Sequence, residues 1–321
     1  QMAPIHFDLL EAAFGHSGYN VVILRDCSKA VVDEGLKYVN NDACYPSILI
    51  VGQLIHALNS GKYDLRNTSV MITQTGGACR ATNYVGMLKK ALKDSGHGDI
   101  PLISLNVVGL EKQSGFKLTM PLAIRAFMAI IYGDVLSRCL YKVRPYEVTK
   151  GSADALYEKW RLFLREDMKS AVKAFRFMER SYRKAVKGTK FGCPGDIYEM
   201  RESVRSIVSP GNIAGEGWFL SAEMLELIGE GVPNIVCMQP FACLPNHVTG
   251  KGVIGELRRQ HPESNIVAVD FDPGASEVNQ VNRIKLMLTQ AYANAGISRR
   301  DVVKVQTDDK YSQLISSGTS V

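Results

Sequence analysis

The segment TQTGGACR, residues 73–80, decides how the rest of the sequence is interpreted. It follows the apolar run Val70–Ile72, which predicts a buried strand, and precedes residues 81–92, which predict a helix. Cys79 therefore lies where a strand passes into a helix, and open α/β sheets bind their ligands at such strand ends. Gly76 and Gly77 allow a tight turn and a close approach of the backbone to a bound group. A thiol at a helix N-terminus favours the thiolate that binds metals, and a buried structural cysteine is the alternative interpretation.

Composition indicates a globular protein of ordinary type. The chain has 321 residues, which is enough for two domains, with 46% hydrophobic and 22% charged residues. Its 38 basic and 32 acidic residues give a net charge of +6 that is not concentrated in one tract, so nucleic acid is not an expected partner. No apolar run approaches the roughly 18 residues that a membrane span needs, and residues 1–4 do not begin a secretory signal. We expect a cytoplasmic protein that contacts no membrane.

The cysteine pattern favours reduced thiols. There are seven cysteines, an odd number, and they are widely spaced in a long chain, which is not typical of a disulfide framework. Some of them are therefore candidates for metal ligands. They are Cys27, Cys44, Cys79, Cys139, Cys193, Cys237 and Cys243.

Strand patterns alternate with helix patterns along most of the chain, which predicts an α/β fold with parallel sheets. The predicted strands are residues 21–24, 70–72, 101–105, 212–215, 232–237 and 266–271. We expect an α/β domain over residues 1–150, a helical connector over 151–195, a second α/β domain over 196–300 and a polar tail over 301–321. Because the first predicted element is the helix 4–14 and not a strand, we also expect a strand upstream, in a longer polypeptide.

The predicted connector contains one long amphipathic helix over residues 153–186. Its apolar positions include Leu156, Trp160 and Phe163, and its opposite face is basic and includes Arg161 and Arg165. A basic helix face is usually solvated. Docking of a redox partner or of an anionic ligand is the second interpretation of that face.

The second half contains a counterpart of the Cys79 segment. The sequence QPFACLPNH, residues 239–247, also follows a predicted strand, and its two prolines restrict the direction of the Cys243 side chain. Cys44 likewise precedes a predicted helix. None of the three cysteines belongs to a CxxC pair, which argues against a zinc ribbon and a ferredoxin motif. They predict a site assembled from distant loops at a domain interface, and three protein ligands would leave one metal position open.

Five other side chains are weighed for a role in this site. Cys27 also follows a predicted strand and is the strongest rival ligand, and Cys193 lies on a predicted loop. Cys139 and Cys237 fall inside apolar segments, which predicts core positions for both. His247 follows Cys243 by four residues, but Pro245 intervenes, so capping or orienting the loop is favoured over metal binding.

Two further motifs give weaker signals. The GKGVIG segment, residues 250–255, matches the dinucleotide pattern GxGxxG, yet its glycines fall inside a predicted helix and not at a strand–helix turn. The segment DFDPGASE, residues 270–277, is better explained as a strand end followed by a capped helix start. No GxxxxGK[ST] sequence is present, so the chain does not resemble an ATPase.

Five segments together resemble the 2-hydroxyacyl-CoA dehydratase superfamily. More narrowly, they are similar to the dehydratase-like portion of acyl-CoA dehydratase activase-related proteins, which are kin of double-cubane cluster proteins. The resemblance covers roughly residues 4–295. The segments are NNDACYPS (40–47), TQTGGACRATNY (73–84), VRPYE (143–147), QPFACLPNHVTGKG (239–252) and DFDPGASEVNQVNRIKL (270–286).

The resemblance implies two flavodoxin- or Rossmann-like domains joined by a long helical segment, with an iron–sulfur cluster in the cleft between them. It implies that Cys44, Cys79 and Cys243 hold a [4Fe-4S] cluster, or part of a double-cubane [8Fe-9S] cluster, with one iron open. It also implies an ATP-hydrolysing activator, as a separate protein or a fused domain, that supplies a low-potential electron. The implied reaction is dehydration of a 2-hydroxyacyl-CoA or reduction of a small molecule, and a homodimer is an expected assembly.

Residues beside the cysteines would tune such a cluster. Backbone N–H groups at Gly76 and Gly77 would donate to its sulfurs and count among the cofactor-binding residues. Gln74, Arg80 and His247 are the candidate catalytic residues. Candidates for contacts around the cluster or with substrate are Gln74, Thr75, Arg80, Asn246 and His247.

Two other functions remain open on the sequence. One is a non-catalytic or zinc-bearing interaction module of an activase system, in which the cysteines are structural. The other is a CoA- or nucleotide-binding domain without a cluster. The metal content of protein prepared without oxygen separates the cluster protein from both.

Overall fold

The computed structural model describes residues 3–73, 79–105, 116–168 and 196–297, and they form a mixed α/β fold. Predictions that lie outside the described residues concern Gln74, Thr75, Gly76, Gly77, Cys193, the connector beyond residue 168 and the tail 301–321. The predicted domain boundaries stay a prediction.

The described elements follow the predicted order closely. In the first half they are α1 Pro4–Gly15, α2 Lys29–Leu36, α3 Tyr45–Asn59, β1 Val70–Thr73, α4 Tyr84–Asp94, β2 Leu102–Leu105, α5 Met120–Val143 and α6 Ser152–Asp167. In the second half they are α7 Ile197–Ser203, α8 Trp218–Gly229, β3 Asn234–Pro240, α9 Ile254–Gln260, β4 Asn265–Phe271 and α10 Glu277–Asn294.

Both pairs of strands are parallel, as the alternating pattern predicts. Strand β1 pairs with β2 from Val70 opposite Leu102 to Thr73 opposite Leu105. Strand β3 pairs with β4 from Asn234 opposite Asn265 to Pro240 opposite Phe271. Each sheet has two strands among the described residues. Strands β1 and β3 therefore both run towards a cysteine-bearing loop at their carboxyl ends.

Helices α2 and α3 cross at two glycines. A Cβ atom added to Gly52 would lie 2.1 Å from the carbonyl oxygen of Val31, and one added to Gly35 would lie 2.1 Å from that of Ile48. The absence of side chains there lets the two backbones touch. This packing places the start of α3, and therefore Cys44, in the first hydrophobic cluster, together with residues of β1, β2 and α4.

Helix α6 differs in part from its predicted orientation, because Leu164 of its apolar face packs against the second hydrophobic cluster as predicted, while Leu156 is exposed. Arg161 and Arg165 do not form a solvated or docking face, because both point at Asp8 of α1, with nitrogen–oxygen distances of 2.7 and 2.9 Å. The predicted apolar positions Trp160 and Phe163 are instead 48% and 58% exposed and pack edge-to-face on each other. The carboxylate of Asp8 is only 9% exposed, so its need for positive partners determines which face of α6 turns inward.

Two predicted strands are wrong. Residues 21–24 have no strand partner among the described residues, and Val22 is half exposed. Residues 212–215 form a turn instead, in which the N–H of Trp218 donates to the carbonyl of Asn212 over 2.8 Å. Gly215 adopts a left-handed φ of +61°, which an extended strand excludes.

Among the described residues, one helix is long and apolar enough to cross a membrane by length and composition, and it spans Met120–Tyr146. One buried stripe of this helix, which includes Met128, Tyr132 and Leu136, packs with α1 in the second hydrophobic cluster. A core helix passes the same test of length and composition, so the finding alone does not identify a membrane span.

Candidate metal centre

Cys44 lies at the start of helix α3 and is almost completely buried. It is the residue immediately before the helix, as predicted, and its backbone is extended. The hydroxyl of Ser47 donates to the Cys44 carbonyl over 2.7 Å and so fixes the first turn. The Cys44 sulfur lies 3.1 Å from the hydroxyl of Tyr84, the first residue of α4. Two helices thus bring a thiol and a phenol together in the first hydrophobic cluster.

Cys79 is half-buried and does not directly precede an α-helix. A short 3-10 turn, Arg80–Asn83, follows it, and α4 begins only at Tyr84. The predicted effect of a helix dipole on the Cys79 thiol is therefore weakened, because a single 3-10 turn carries little aligned dipole. The position of Cys79 is determined by its tertiary contacts and not by a helix that follows it.

Gly215 of the second half packs directly on Cys79. A Cβ atom built on Gly215 would lie 3.6 Å from the Cys79 sulfur and 3.0 Å from Cγ of Pro245. Pro245 belongs to the loop that carries Cys243, so Cys79 and the Cys243 loop meet at the Gly215 turn. The missing side chain leaves space beside the sulfur that any other residue would fill.

Cys243 is half-buried, and Asn246 donates a hydrogen bond from Nδ2 to its sulfur over 3.1 Å. Burial raises the pKa of the Cys243 thiol, while the hydrogen bonds from Asn246 oppose that shift, and the nearby Glu216 and Cys79 raise it further. The free thiol is thus held neutral, whereas a bound cation would remove its proton outright.

The three cysteines all affect the pKa of the Tyr84 hydroxyl. Burial is the largest cause of a strongly raised Tyr84 pKa, followed by the hydrogen bond and charge of Cys44 and then by the charges of Cys79 and Cys243. Direct contacts join their loops, since Cys79 packs on Gly215 beside Pro245 and the N–H of Tyr45 donates to the Phe241 carbonyl over 3.0 Å. The structure thus places the loops that carry Cys44, Cys79 and Cys243 next to one another.

The other predicted site residues lie around this centre. Arg80 is exposed and donates from a guanidinium nitrogen to the carbonyl of Asp42 over 3.1 Å, which links the Cys79 and Cys44 loops. His247 is half-buried, lies in the π-helical turn Asn246–Gly250, and donates its backbone N–H to the Cys243 carbonyl. His247 therefore contributes to the shape of the loop through its backbone.

Cys27, the strongest rival ligand, is exposed to solvent. Its exposed sulfur accepts a hydrogen bond of 3.5 Å from Gln53, whose amide also donates to the Asp26 carbonyl. Burial raises the pKa of Tyr45, and the charges of Cys27 and Asp272 add to that shift, so Cys27 lies near the residue that follows Cys44.

Cys139 and Cys237 are both half-buried. Burial raises the pKa of the Cys139 thiol on α5 and of the Cys237 thiol on β3. Cys237 also packs against the hydrophobic cluster beneath the second sheet. Both positions agree with the predicted structural roles.

Sequence reasoning did not single out Tyr84 or Gly215. Tyr84, Leu88 and Ala91 are buried at helical spacing on α4, a pattern that marks a core face and carries no sign of a functional hydroxyl. Gly215 lies in the segment AGEG, which signals only a turn. Both residues gain their importance from contacts with distant cysteines.

The donor chemistry of the three thiols fits an iron–sulfur cluster, which cysteine thiolates hold. Over residues 3–73, 79–105, 116–168 and 196–297, no group of three or more His, Cys, Asp or Glu side chains is arranged to hold a metal ion. A four-iron cluster is wider than one ion, so its ligands stand farther apart than those of a single metal.

Comparisons of the chain with protein-family models, with curated proteins and with solved structures found no match.

Proposed function

We propose that this chain binds a [4Fe-4S]-type cluster, or one half of a double-cubane cluster, through Cys44, Cys79 and Cys243. The observation that supports the proposal is the contact between the three cysteine loops, in which Gly215 packs on both Cys79 and Pro245 and the N–H of Tyr45 donates to the Phe241 carbonyl over 3.0 Å. Each thiol comes from a different loop, and two of those loops follow parallel strands.

The proposal also covers the fold of the chain around this centre and the reaction in which the chain takes part. The described sheets would be the cores of two flavodoxin-like domains, with the centre in the cleft between them. When bound, the cluster would supply low-potential one-electron chemistry at one iron without a protein ligand. The chain would act in ATP-driven reduction or in dehydration of a 2-hydroxyacyl-CoA, with an ATP-hydrolysing activator as its electron donor, in the cytoplasm.

The residues of the chain would have distinct parts in this centre. The three cysteines would hold the cluster, and the burial of Cys44 would keep water from its sulfur. Asn246 would donate a hydrogen bond to the Cys243 sulfur, in the geometry already present. Arg80 would hold the Cys79 loop against the Cys44 loop through the carbonyl of Asp42. Such contacts orient ligands and tune bound metals.

Anaerobic metal analysis tests the proposal. Protein purified without oxygen from iron-replete cells should be brown and contain iron and sulfide in equal amounts. Cys79→Ala should lose most of the iron, whereas Cys139→Ala, which removes a half-buried thiol from α5, should keep it. Electron paramagnetic resonance of the reduced protein then identifies the cluster type.

The same measurement separates the competing functions. A folded, colourless protein without iron would refute the cluster proposal. Zinc in that protein would favour an interaction module of an activase system. Tight binding of CoA to iron-free protein, measured by calorimetry, would favour a CoA-binding domain.

A further inference from the structure

Tyr84 presents a buried hydroxyl to the candidate metal centre. The side chain is held by its place in the buried stripe of α4 and is only 7% exposed. Its oxygen lies 3.1 Å from the Cys44 sulfur, and both residues belong to the first hydrophobic cluster. A phenol in such a cluster needs a hydrogen-bond partner, and the partner here is a sulfur.

The direction of this hydrogen bond depends on the state of Cys44. With a protonated thiol, either the sulfur or the oxygen can donate. A metal-bound thiolate carries no hydrogen, so the tyrosine hydroxyl must then be the donor. Binding of a metal by Cys44 would therefore fix the hydroxyl hydrogen on the line to the sulfur.

We propose that Tyr84 is a positioning residue that donates its hydroxyl hydrogen to the Cys44 sulfur, orients that ligand and raises the reduction potential of the bound cluster. This inference rests on the proposed function. A donor to a ligand sulfur stabilises the more negative, reduced cluster more than the oxidised one.

Tyr132 offers a matched control. It is as deeply buried, at 3%, and its hydroxyl donates to Asp167 over 2.7 Å. It belongs to the second hydrophobic cluster, with α1 and α5, and not to the cluster that contains Cys44. Tyr84→Phe and Tyr132→Phe each delete one buried hydroxyl, and because Tyr132 donates to a carboxylate, the loss of stability in Tyr132→Phe should be at least as large as in Tyr84→Phe.

The experiment measures the midpoint potential of the full chain, loaded without oxygen, in a redox titration followed by electron paramagnetic resonance. We expect Tyr84→Phe to shift the potential to more negative values and to change the signal of the reduced cluster. Tyr132→Phe should keep the wild-type potential and signal. Replacement of Tyr84 by 3-fluorotyrosine keeps the shape and strengthens the donor, so it should shift the potential in the opposite direction.

Each outcome decides between the alternatives. Wild-type potentials in iron-loaded Tyr84→Phe and in the 3-fluorotyrosine protein would overturn the inference and leave the cluster proposal intact. Loss of iron from Tyr84→Phe, with a melting temperature at or above that of Tyr132→Phe, would support the positioning role. A wild-type protein without iron would refute the proposed function and this inference with it.

Discussion

The backbone N–H of Tyr45 donates a hydrogen bond of 3.0 Å to the carbonyl oxygen of Phe241. Tyr45 follows Cys44, and Phe241 lies two residues before Cys243, so a main-chain bond joins two cysteine loops from opposite halves of the sequence. Because the bond uses no side chain, it fixes the separation of the two loops independently of what the thiols bind. A change in the backbone conformation of either loop should therefore displace both cysteines.

Ala242 lies between Phe241 and Cys243, and we expect this position to tolerate glycine but not valine. Its φ is +53°, a left-handed conformation that is strained for alanine and worse for a β-branched residue. We expect Ala242→Val to reduce the free energy of unfolding by about 1–3 kcal/mol and to lower iron content. Ala242→Gly relieves the strain but loses a partly buried methyl group, so we expect a change within about 1 kcal/mol.

Urea denaturation and iron analysis of both variants check this prediction. Equal stability of the valine and glycine variants would show that the left-handed conformation at residue 242 is not required.

Gly215→Ala should displace Cys79. The new methyl group would lie 3.0 Å from the Pro245 ring and beside the Cys79 sulfur, at a left-handed φ. We expect a loss of about 1–3 kcal/mol in the free energy of unfolding and a clear loss of bound iron. Gly61→Ala is the matched control, because Gly61 has a similar φ of +69° and its Cβ would meet nothing within 4 Å.

Iron content per folded chain, measured side by side, distinguishes the two glycines. Gly61→Ala should lose a similar amount of unfolding free energy through its left-handed φ, and it should keep its iron. Full iron loading of Gly215→Ala would contradict the close packing of Gly215 on Cys79.

Cys27→Ser should keep its iron. The Cys27 sulfur is exposed and already accepts a hydrogen bond from Gln53, which a serine oxygen can also accept. Iron and sulfide analysis of anaerobic protein should give wild-type values. A loss as large as that of Cys79→Ala would make Cys27 a ligand and would require a different set of three.

Asp8→Asn should destabilise the protein in a pH-dependent way. Burial alone would raise the Asp8 pKa, but hydrogen bonds and charges from Arg161 and Arg165 outweigh it, so the pKa is lowered. A lowered folded-state pKa stabilises the fold at any pH above the ordinary value of 3.8, and this stabilisation is lost as pH falls through the folded-state pKa. The arginines remain partly hydrated, so we expect a loss of about 2 kcal/mol at pH 7.

Urea denaturation at pH 7 and at pH 3 checks that the Asp8 pKa is lowered and not raised. The difference between wild type and Asp8→Asn should be large at pH 7 and smaller at pH 3. Asp33→Asn is the control, because Asp33 is half exposed and pairs only with Lys29 in the contacts described, so its effect should stay within about 0.5 kcal/mol. A difference that does not depend on pH would contradict the lowered pKa.

Local sequence patterns located most elements, because their signals act over a few residues. Helical spacing predicted α1 over residues 4–14 and the structure has it at Pro4–Gly15, and both pairs of strands are parallel as predicted. The predicted strand at 212–215 was wrong because Gly215 has a left-handed φ, and the one at 21–24 was wrong because it has no strand partner among the described residues. A short apolar run becomes a strand only when another strand pairs with it, and no local signal records that partner.

The candidate metal centre shows the same division between local sequence signals and tertiary contacts. The sequence by itself determined that Cys44, Cys79 and Cys243 lie on loops beside helices or 3-10 turns, because turn residues and apolar runs mark those boundaries. Only the tertiary structure decided that the Cys44 sulfur meets the hydroxyl of Tyr84, that Gly215 packs on Cys79, and that Asp8 draws Arg161 and Arg165 of α6 inward. These relationships join residues that are far apart in the chain, and they depend on burial and charge pairing, which arise only once the chain has folded.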